Sequence, residues 1–418
     1  MAASPAPTTP GGPPSNPLQS PALLANPYPL YRTLRETSPV LRLPVPSHAG
    51  AGVWLLLRHA DVQSVLRDPG FSVDRRRADV VRENAERLPL ELIGEEGGLR
   101  SMLIMDPPDH TRVRGLVSKA FTPRRVAALR PRIEAIVGEL LGAVARAGRM
   151  DVIEDLAAPL PAIVIAELLG VPAEDHRQFK QWSSELVSGL AQANPLESLA
   201  RLQRGLEPLL AYLREIIAAR RAEPRDDLIS AMIAAQEECS ALSDAELLAT
   251  SNLLLVAGHE TTTNLIGNGL LALLRHPDEL ARLRAQPELL RGGIEELLRY
   301  DSPVQATVRV ATQDAELGGH AIRRGALVVC GIGAANRDPL AFSDPDRLDL
   351  TRAETGHLSF GFGAHFCLGA PLARLEAEVA FAALLARLPS LRLASDCVEF
   401  RPNPILRGLR SLPVAFDA

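Results

Sequence analysis

Aromatic residues are scarce in this sequence, and its cysteines are few and scattered. Aromatics make up 4% of the 418 residues, and the four cysteines stand at positions 239, 330, 367 and 397 without a Cys-x-x-Cys pair. This spacing indicates neither a zinc site nor a disulfide framework, and it fits a reducing cytoplasm. Positive charge is not in excess, since the formal net charge is −5. The chain therefore gives no reason to expect a nucleic-acid partner.

The N-terminal sequence lacks the basic and apolar regions of a signal peptide. Residues 1–22 are rich in proline, alanine, serine and glycine, and we predict that they form a disordered tail. The most apolar long segment, Leu247 to Leu274, is long enough to span a bilayer, but polar residues such as His259 and Glu260 interrupt it. We therefore expect a buried helix there and no membrane association.

Beyond the tail, no long linker divides the chain. Alanine and leucine dominate, and helix-type patterns follow one another with short turns between them. We predict that residues 23–418 form one large, mainly α-helical domain with small β-sheets. Helices are predicted at 26–36, 60–67, 131–147, 156–169, 173–190, 196–222, 226–236, 244–274, 278–285 and 289–300 and after Cys367, and strands at 53–57, 307–311 and 326–330. Residues 70–108 lack a clear period and are expected to form an irregular connection that covers a pocket.

One cysteine stands in a glycine-rich turn directly before an apolar, helix-forming run. Cys367 lies in the segment Phe360 to Gly369, with Gly361 and Gly363 before it and the run Ala370 to Leu388 behind it. A helix N-terminus favours a thiolate, and glycines let the backbone approach a flat ligand closely. The pattern predicts that Cys367 is an axial metal ligand. The alternative, a small buried hydrophobic residue at a helix start, would not require the surrounding pattern.

A second group of polar residues lies inside the long helix predicted at 244–274. Ser243 and Glu246 are expected to form a capping box at its start. Further along, Glu260 and Thr261 interrupt an apolar surface, and a threonine that bonds back to a carbonyl can bend a helix and open a cleft. The alternative is that Glu260 lies on a solvated face and Thr261 only bonds to its own helix.

The cysteine segment resembles the haem-binding loop of the cytochrome P-450 superfamily. That loop has the pattern Phe-Gly-x-Gly-x-His-x-Cys-x-Gly, and every position is filled here. The resemblance extends from about residue 27 to the end and implies the fold of that family. Haem b would lie between the long helix and the cysteine loop with its following helix, and the Cys367 thiolate would be its proximal ligand. In this family the thiolate pushes electron density toward O–O cleavage, which is a property of the family and not an inference from this chain.

The same resemblance implies roles for other residues. Glu260 and Thr261 match the acid and alcohol of the oxygen-activation motif, which deliver protons. Glu296 and Arg299 match a structural Glu-x-x-Arg pair, which is expected to hold the core against the segment near Asn336, Arg337 and Arg347. The residues expected to contact haem are His110, Arg114, Ala257, Arg309, Phe360, Gly361, His365, Cys367 and Gly369. Among these, His110, Arg114, Arg309 and His365 would bind the propionates; taken singly, each could equally be a solvated cation.

The resemblance also suggests what the enzyme acts on. Substrate contacts are expected from the 70–108 region and from Leu254, Ala257, Val304, Thr307 and Leu406. These side chains are mostly aliphatic, which favours an apolar and fairly large substrate. The basic segment from Asp109 to Arg132 could steer an acidic electron donor, although ordinary surface charges are the alternative.

We therefore interpret the chain as a soluble bacterial haem-thiolate monooxygenase. It would insert one atom of dioxygen into an apolar organic substrate, by hydroxylation or epoxidation, with electrons from a ferredoxin or flavodoxin and its reductase. Two alternatives stay open: a peroxide-driven peroxygenase, and a haem-binding carrier or sensor without turnover. The acid-alcohol pair argues against the peroxygenase.

Overall fold

The structure is a computed structural model that describes residues 21–44, 50–83, 100–119, 121–175, 178, 181–182, 185–186, 195–239 and 242–417. Two sequence predictions fall largely outside these ranges: the tail at 1–22, except for its last two residues, and most of the helix at 173–190. The part of the irregular connection at 84–99 also lies outside them.

Helices make up most of the described chain, as the sequence predicts. They span Pro21–Ala25, Tyr28–Thr37, His59–Arg67, Asp79–Glu83, Asp109–Ser118, Pro123–Ala128, Arg130–Val144, Pro159–Leu169, Pro195–Ala222, Leu228–Cys239, Asp244–Arg275, Pro277–Ala285, Leu290–Tyr300, Ile332–Ala335 and Ala370–Arg387. Within the described ranges, every helix falls short of the length or the apolar content that crossing a bilayer requires.

The strands form three small sheets. The strands are β1 (Val40–Leu43), β2 (Val53–Leu56), β3 (Phe71–Ser72), β4 (Arg149–Asp151), β5 (Ala306–Ala311), β6 (Ala315–Leu317), β7 (His320–Ile322), β8 (Leu327–Gly331), β9 (Arg392–Leu393) and β10 (Pro413–Ala415). The largest sheet has the order β1-β2-β8-β5-β3, with β2 and β8 parallel. Its antiparallel pair β5 and β8 sets Arg309 opposite Val328. Because side chains alternate along a strand, this register fixes the side of the sheet from which Arg309 projects.

The long helix Asp244–Arg275 runs through the centre of the fold. Its predicted capping box is confirmed: the Ser243 hydroxyl accepts from the Glu246 amide at 3.1 Å, and the Ser243 amide donates to Glu246 Oε2 at 2.8 Å. The helix packs against Pro159–Leu169 on one side and Ala370–Arg387 on another. At Gly269 a Cβ would lie 2.8 Å from Cζ of Phe381, so the absent side chain allows this close packing.

The sequence interpretation misses five of the described helices and misplaces one boundary. Pro21–Ala25, Asp79–Glu83 and Ile332–Ala335 are only four or five residues long, too short to show a helical period. Asp109–Ser118 and Pro123–Ala128 were not predicted either, because their charged residues obscure that period. The helix expected from Leu156 begins at Pro159, since Ile153–Ala157 form a π-helical turn before it. Residues 70–108 contain short elements, among them the 3-10 turns Arg75–Arg77 and Met102–Ile104, and several of these residues border the cavity described next.

Candidate active site

A cavity of about 330 Å³ lies between the long helix, the cysteine loop and β5. Its walls are mainly aliphatic, with a few polar groups converging on it, as is usual for small-molecule sites. All nine residues expected to contact haem line this cavity: His110, Arg114, Ala257, Arg309, Phe360, Gly361, His365, Cys367 and Gly369. The fold thus brings together residues that are up to 259 positions apart in sequence, from His110 to Gly369.

The loop holds Cys367 with its sulfur facing the cavity. The Cys367 amide donates to the carbonyl of Phe360 at 2.8 Å, which closes the turn. Gly363 has a φ of 73°, and a Cβ there would lie 2.8 Å from the carbonyl oxygen of Leu66. Only glycine combines this left-handed backbone with so close an approach. The position of the thiol is therefore fixed by backbone geometry.

Burial raises the pKa of the Cys367 thiol, although the amides of Gly369 and Ala370 and the guanidiniums of Arg114 and Arg374 oppose the rise. The amides at the helix N-terminus favour the thiolate, as expected, but burial outweighs them when no cation is bound at the sulfur. Desolvation outweighs two amide donors and two cations that are not in direct contact. A metal cation at the sulfur would supply the missing stabilisation, because a coordinating thiol is deprotonated outright.

Two imidazoles and a guanidinium converge on one end of the cavity. The rings of His110 and His365 lie 4.0 Å apart between centroids, and Arg114 Nη2 donates to the carbonyl of Phe366 at 2.6 Å. Burial and the neighbouring cations lower the pKa of His365 to about 3, and burial also lowers the pKa of His110. Nε2 of His110 is buried without a hydrogen-bond partner among the described residues. Such an orphaned nitrogen calls for a bound group.

Arg309 adds a buried cation to the same wall. Its side chain is 6% exposed, and its Nη1 donates to the carbonyl of Val308 at 2.8 Å. Burial lowers the pKa of Arg309, and the Asp106 carboxylate opposes this fall from beyond the distance of an ion pair. Asp106 itself is held by the Ser72 hydroxyl, the Val73 amide and Arg77. A buried cation needs a compensating anion. The cluster therefore fits the two propionates of haem.

The acid and the alcohol of the long helix occupy different environments. Thr261 lines the cavity, and its hydroxyl donates to the carbonyl of Ala257 at 3.2 Å. Glu260 is 6% exposed and does not belong to the cavity wall; its Oε1 accepts from Nη1 of Arg401 at 2.6 Å. The alternative that Glu260 lies on a solvated face does not fit, because its side chain is buried and bound by Arg401.

Four of the five expected substrate contacts line the cavity. Leu254, Ala257, Val304 and Thr307 form part of its wall, whereas Leu406 does not. Leu406 instead forms an isolated antiparallel β-bridge with Val304. Leu406 thus contacts a wall residue through the backbone, and its role as a substrate contact stays a prediction.

The Glu-x-x-Arg pair is buried behind the cysteine loop. Arg299 Nε donates to Glu296 Oε2 at 2.6 Å, and the two side chains are 1% and 3% exposed. The remaining donors of Arg299 reach the carbonyls of Asn336 at 2.9 Å and Arg347 at 3.2 Å. Arg352, which the sequence interpretation does not name, binds Glu296 from the other side at 3.1 Å.

Two further residues on the cavity wall, Glu376 and Arg75, are absent from the expectations. Glu376 is 1% exposed, and burial raises its pKa to about 8 although the Thr262 hydroxyl hydrogen-bonds to it. Two acids, Glu376 and Glu378, interrupt the apolar run after Cys367, and this was a signal that could have drawn attention to Glu376. Arg75 stands in a cluster of three arginines, where the sequence alone does not indicate which one faces inward.

The cytochrome P450 family model matches residues 55–288 and 284–391 of this chain. The chain is 47% identical over 393 residues to cytochrome P450 107B1 of Saccharopolyspora erythraea, covering 92% of this chain and 93% of the relative. It is 44% identical over 396 residues to the cytochrome P450 monooxygenase PikC of Streptomyces venezuelae, covering 93% and 91%. Among solved structures, the myxobacterial cytochrome P450 CYP267B1 in complex with myristic acid matches with a TM-score of 0.88 and 43% identity, covering 96% of this chain and 99% of that one.

Proposed function

The chain belongs to the cytochrome P450 family, which makes it a haem-binding monooxygenase, and we propose that Cys367 is the haem ligand and that the substrate has a largely apolar body. The observation that carries the proposal is that Cys367 lines a cavity whose wall also collects the imidazoles of His110 and His365 and the guanidiniums of Arg114 and Arg309. The thiol matches the iron of haem, the imidazoles and guanidiniums match its carboxylates, and the aliphatic wall matches its flat apolar body.

Bound haem supplies the one-electron and dioxygen chemistry of the reaction. The residues of the chain hold and orient it. Gly361, which lines the cavity, would let the loop approach the macrocycle, and the Cys367 thiolate would bind the iron. His110, Arg114, Arg309 and His365 would bind the propionates.

Proton delivery falls to Thr261 and Glu260. The 3.2 Å hydrogen bond from Thr261 Oγ1 to Ala257 is long, so this hydroxyl can also orient a water molecule in the cavity. Glu260 Oε1 is held by Arg401 outside the cavity wall, where the carboxylate can take up a proton and pass it inward to that water. A transfer from Glu260 to a water held by Thr261 would supply protons to the cavity without opening it to bulk water.

The apolar wall determines where the substrate body lies. Leu254 and Ala257 come from the long helix and Val304 and Thr307 from the chain around β5, so the substrate lies between these two elements. Their side chains make dispersion contacts but offer few hydrogen bonds. One oxygen atom would be inserted into a C–H bond or an alkene held there. The myristic acid in the solved structure of a relative supports a cavity of this type.

Proteins of this family need dioxygen and a redox partner, and we assign that role to a ferredoxin-type protein. In the basic segment from Asp109 to Arg132, Arg112 and Arg132 are paired with Glu246 and Glu167. Arg124 and Arg125 are exposed, and no ion pair holds them within the described ranges. Their charges are therefore free to attract an acidic donor.

The absorption spectrum of the reduced protein under carbon monoxide tests the assignment of Cys367. The wild type should show a long-wavelength Soret band, and Cys367→His should lose it while still binding haem. Cys397→Ser is the matched control, because Cys397 is exposed and lies outside the cavity wall. A histidine-like band in the wild type, or an unchanged band in Cys367→His, would contradict the proposal.

A further inference from the structure

Three consecutive arginines occupy one 3-10 turn beside the cavity, but they differ in their partners. Arg76 binds Asp74 through Nε and Nη2 at 2.8 and 2.9 Å. Arg77 lies 3.9 Å from Asp74 and 3.8 Å from Asp106. Arg75 lines the cavity, and burial lowers its pKa with no carboxylate opposing that change among the described residues. Of the three arginines, Arg75 is therefore the one that lines the cavity and has no ion-pair partner among the described residues.

The charges on this wall exceed what haem alone can balance. Arg75, Arg114 and Arg309 all line the cavity, and the charge of Arg75 contributes to lowering the pKa of Arg309. Haem brings two carboxylates, which Arg114 and Arg309 can take together with the two imidazoles. Arg75 then stays on the cavity wall without a carboxylate partner among the described residues, and its side chain is exposed. It is therefore accessible to one more anion that enters the cavity.

We propose that Arg75 binds a carboxylate on the substrate, so that this enzyme accepts organic acids with a long apolar body. The inference rests on the proposed function, because it concerns the same cavity and narrows its substrate class. The same wall carries apolar side chains, among them Val73, Met102 and Ile104. An acid anchored at Arg75 by a charge-assisted hydrogen bond would lay its apolar chain against side chains of this kind. The anchor would then limit which carbon of the substrate can be oxidised.

Calorimetric titration of the purified holoenzyme at pH 8 tests this assignment without turnover. The probes are dodecanoic acid and dodecanol, which share the apolar chain and differ in the charged end. We expect the wild type to bind the acid about tenfold to a hundredfold more tightly than the alcohol, which is the range for a hydrogen bond to a charged group. Arg75→Leu should lose this preference and keep its affinity for the alcohol, and Arg75→Lys should keep part of it.

Arg77→Leu is the matched control, because it removes the same charge from the same turn but leaves the cavity wall unchanged. It should bind both probes like the wild type. Equal binding of acid and alcohol by the wild type, or a preference that survives in Arg75→Leu, would overturn the inference. Loss of haem from Arg75→Leu with the preference intact would overturn it too, because Arg75 would then serve a propionate.

The carbon monoxide spectrum separates this inference from the proposed function. A thiolate-type band without any preference for the acid would leave the monooxygenase assignment standing and remove only the role of Arg75. A missing thiolate-type band would remove the assignment of Cys367, whatever the titrations give.

Discussion

Arg401 holds Glu260 by a 2.6 Å hydrogen bond from Nη1 to Oε1, across 141 positions of sequence. The acid of the expected proton relay is thus connected to the C-terminal chain, and of the pair only Thr261 reaches the cavity. In the proposed relay, the acid therefore lies outside the wall and the hydroxyl inside it. The roles of the Glu260 acid and the Thr261 hydroxyl can therefore be tested separately.

Replacing Glu260 by Gln should slow proton delivery. The amide keeps the size of the side chain and can still accept from Arg401, but it cannot take up and release a proton. We expect the rate of product formation to fall about a hundredfold, as for loss of a general acid. The rate at saturating electron donor and substrate measures this, and an unchanged rate with full haem content would rule out the role of Glu260.

Replacing Thr261 by Ala should lower the share of electrons that goes into product more than it lowers the rate at which electrons are consumed. Without the hydroxyl, the water that carries protons is no longer oriented, so we expect more hydrogen peroxide and less product per reducing equivalent. Thr263→Ala is the control, since its hydroxyl bonds to the carbonyl of His259 at 3.0 Å and does not line the cavity. Equal ratios of product to reductant in both variants and the wild type would show that Thr261 is only structural.

The sequence predicts best what lies close together along the chain. Cys367 and its glycines stand within ten residues, and the capping box of Ser243 and Glu246 within four, so neighbouring residues carry the whole signal. The helices of the apolar core are found for the same reason, since their period is local. The helix Asp109–Ser118 was not predicted because its apolar face is short and some of its charged side chains line the cavity instead of a solvated helix face.

Side-chain pairs between residues that are far apart in sequence cannot be predicted from local sequence patterns. Arg401 with Glu260 and Arg352 with Glu296 join residues 141 and 56 positions apart. Nothing local distinguishes these arginines from the other arginines of the chain. The convergence of His110 and Arg309 on one cavity could be expected only from the resemblance to the family, because no spacing rule connects a helix to a distant strand.

Reversing the charge of Arg124 and Arg125 should weaken the productive contact with a ferredoxin. Because both arginines are exposed and no ion pair holds them in the described chain, Arg124→Glu with Arg125→Glu changes the surface field without breaking internal contacts. We expect the KM for a ferredoxin to rise about tenfold at low salt and the difference to shrink as ionic strength screens it. Arg323→Glu with Arg324→Glu is the matched control, because these two neighbouring arginines are also exposed and no ion pair holds them in the described chain. A KM that changes equally in both would contradict a docking role.

Removing Glu296 should destabilise the whole domain. Glu296→Ala leaves Arg299 and Arg352 buried without their carboxylate, and a broken buried ion pair costs about 3 to 5 kcal/mol. Arg347→Ala should cost little, because only its backbone carbonyl serves Arg299 and its side chain is 61% exposed. Urea unfolding of both variants measures the difference. A Glu296→Ala protein as stable as Arg347→Ala would show that the buried pair is not what holds this region.

Glu376 should make the stability of the protein depend on pH in an unusual direction. Burial raises its pKa from 4.5 to about 8, so between these values the folded protein keeps a proton that the unfolded chain has released. The unfolded state then binds fewer protons than the folded state, and the free energy of unfolding falls as pH rises through this window, by roughly 1 kcal/mol per pH unit. Above about pH 8 both states have lost the proton and the contribution stops changing.

Glu376→Gln keeps the shape of the protonated side chain without a titrating group. Urea unfolding between pH 6 and pH 8 should therefore show a steeper loss of stability in the wild type than in this variant, and parallel curves would mean that Glu376 is already ionised at pH 6.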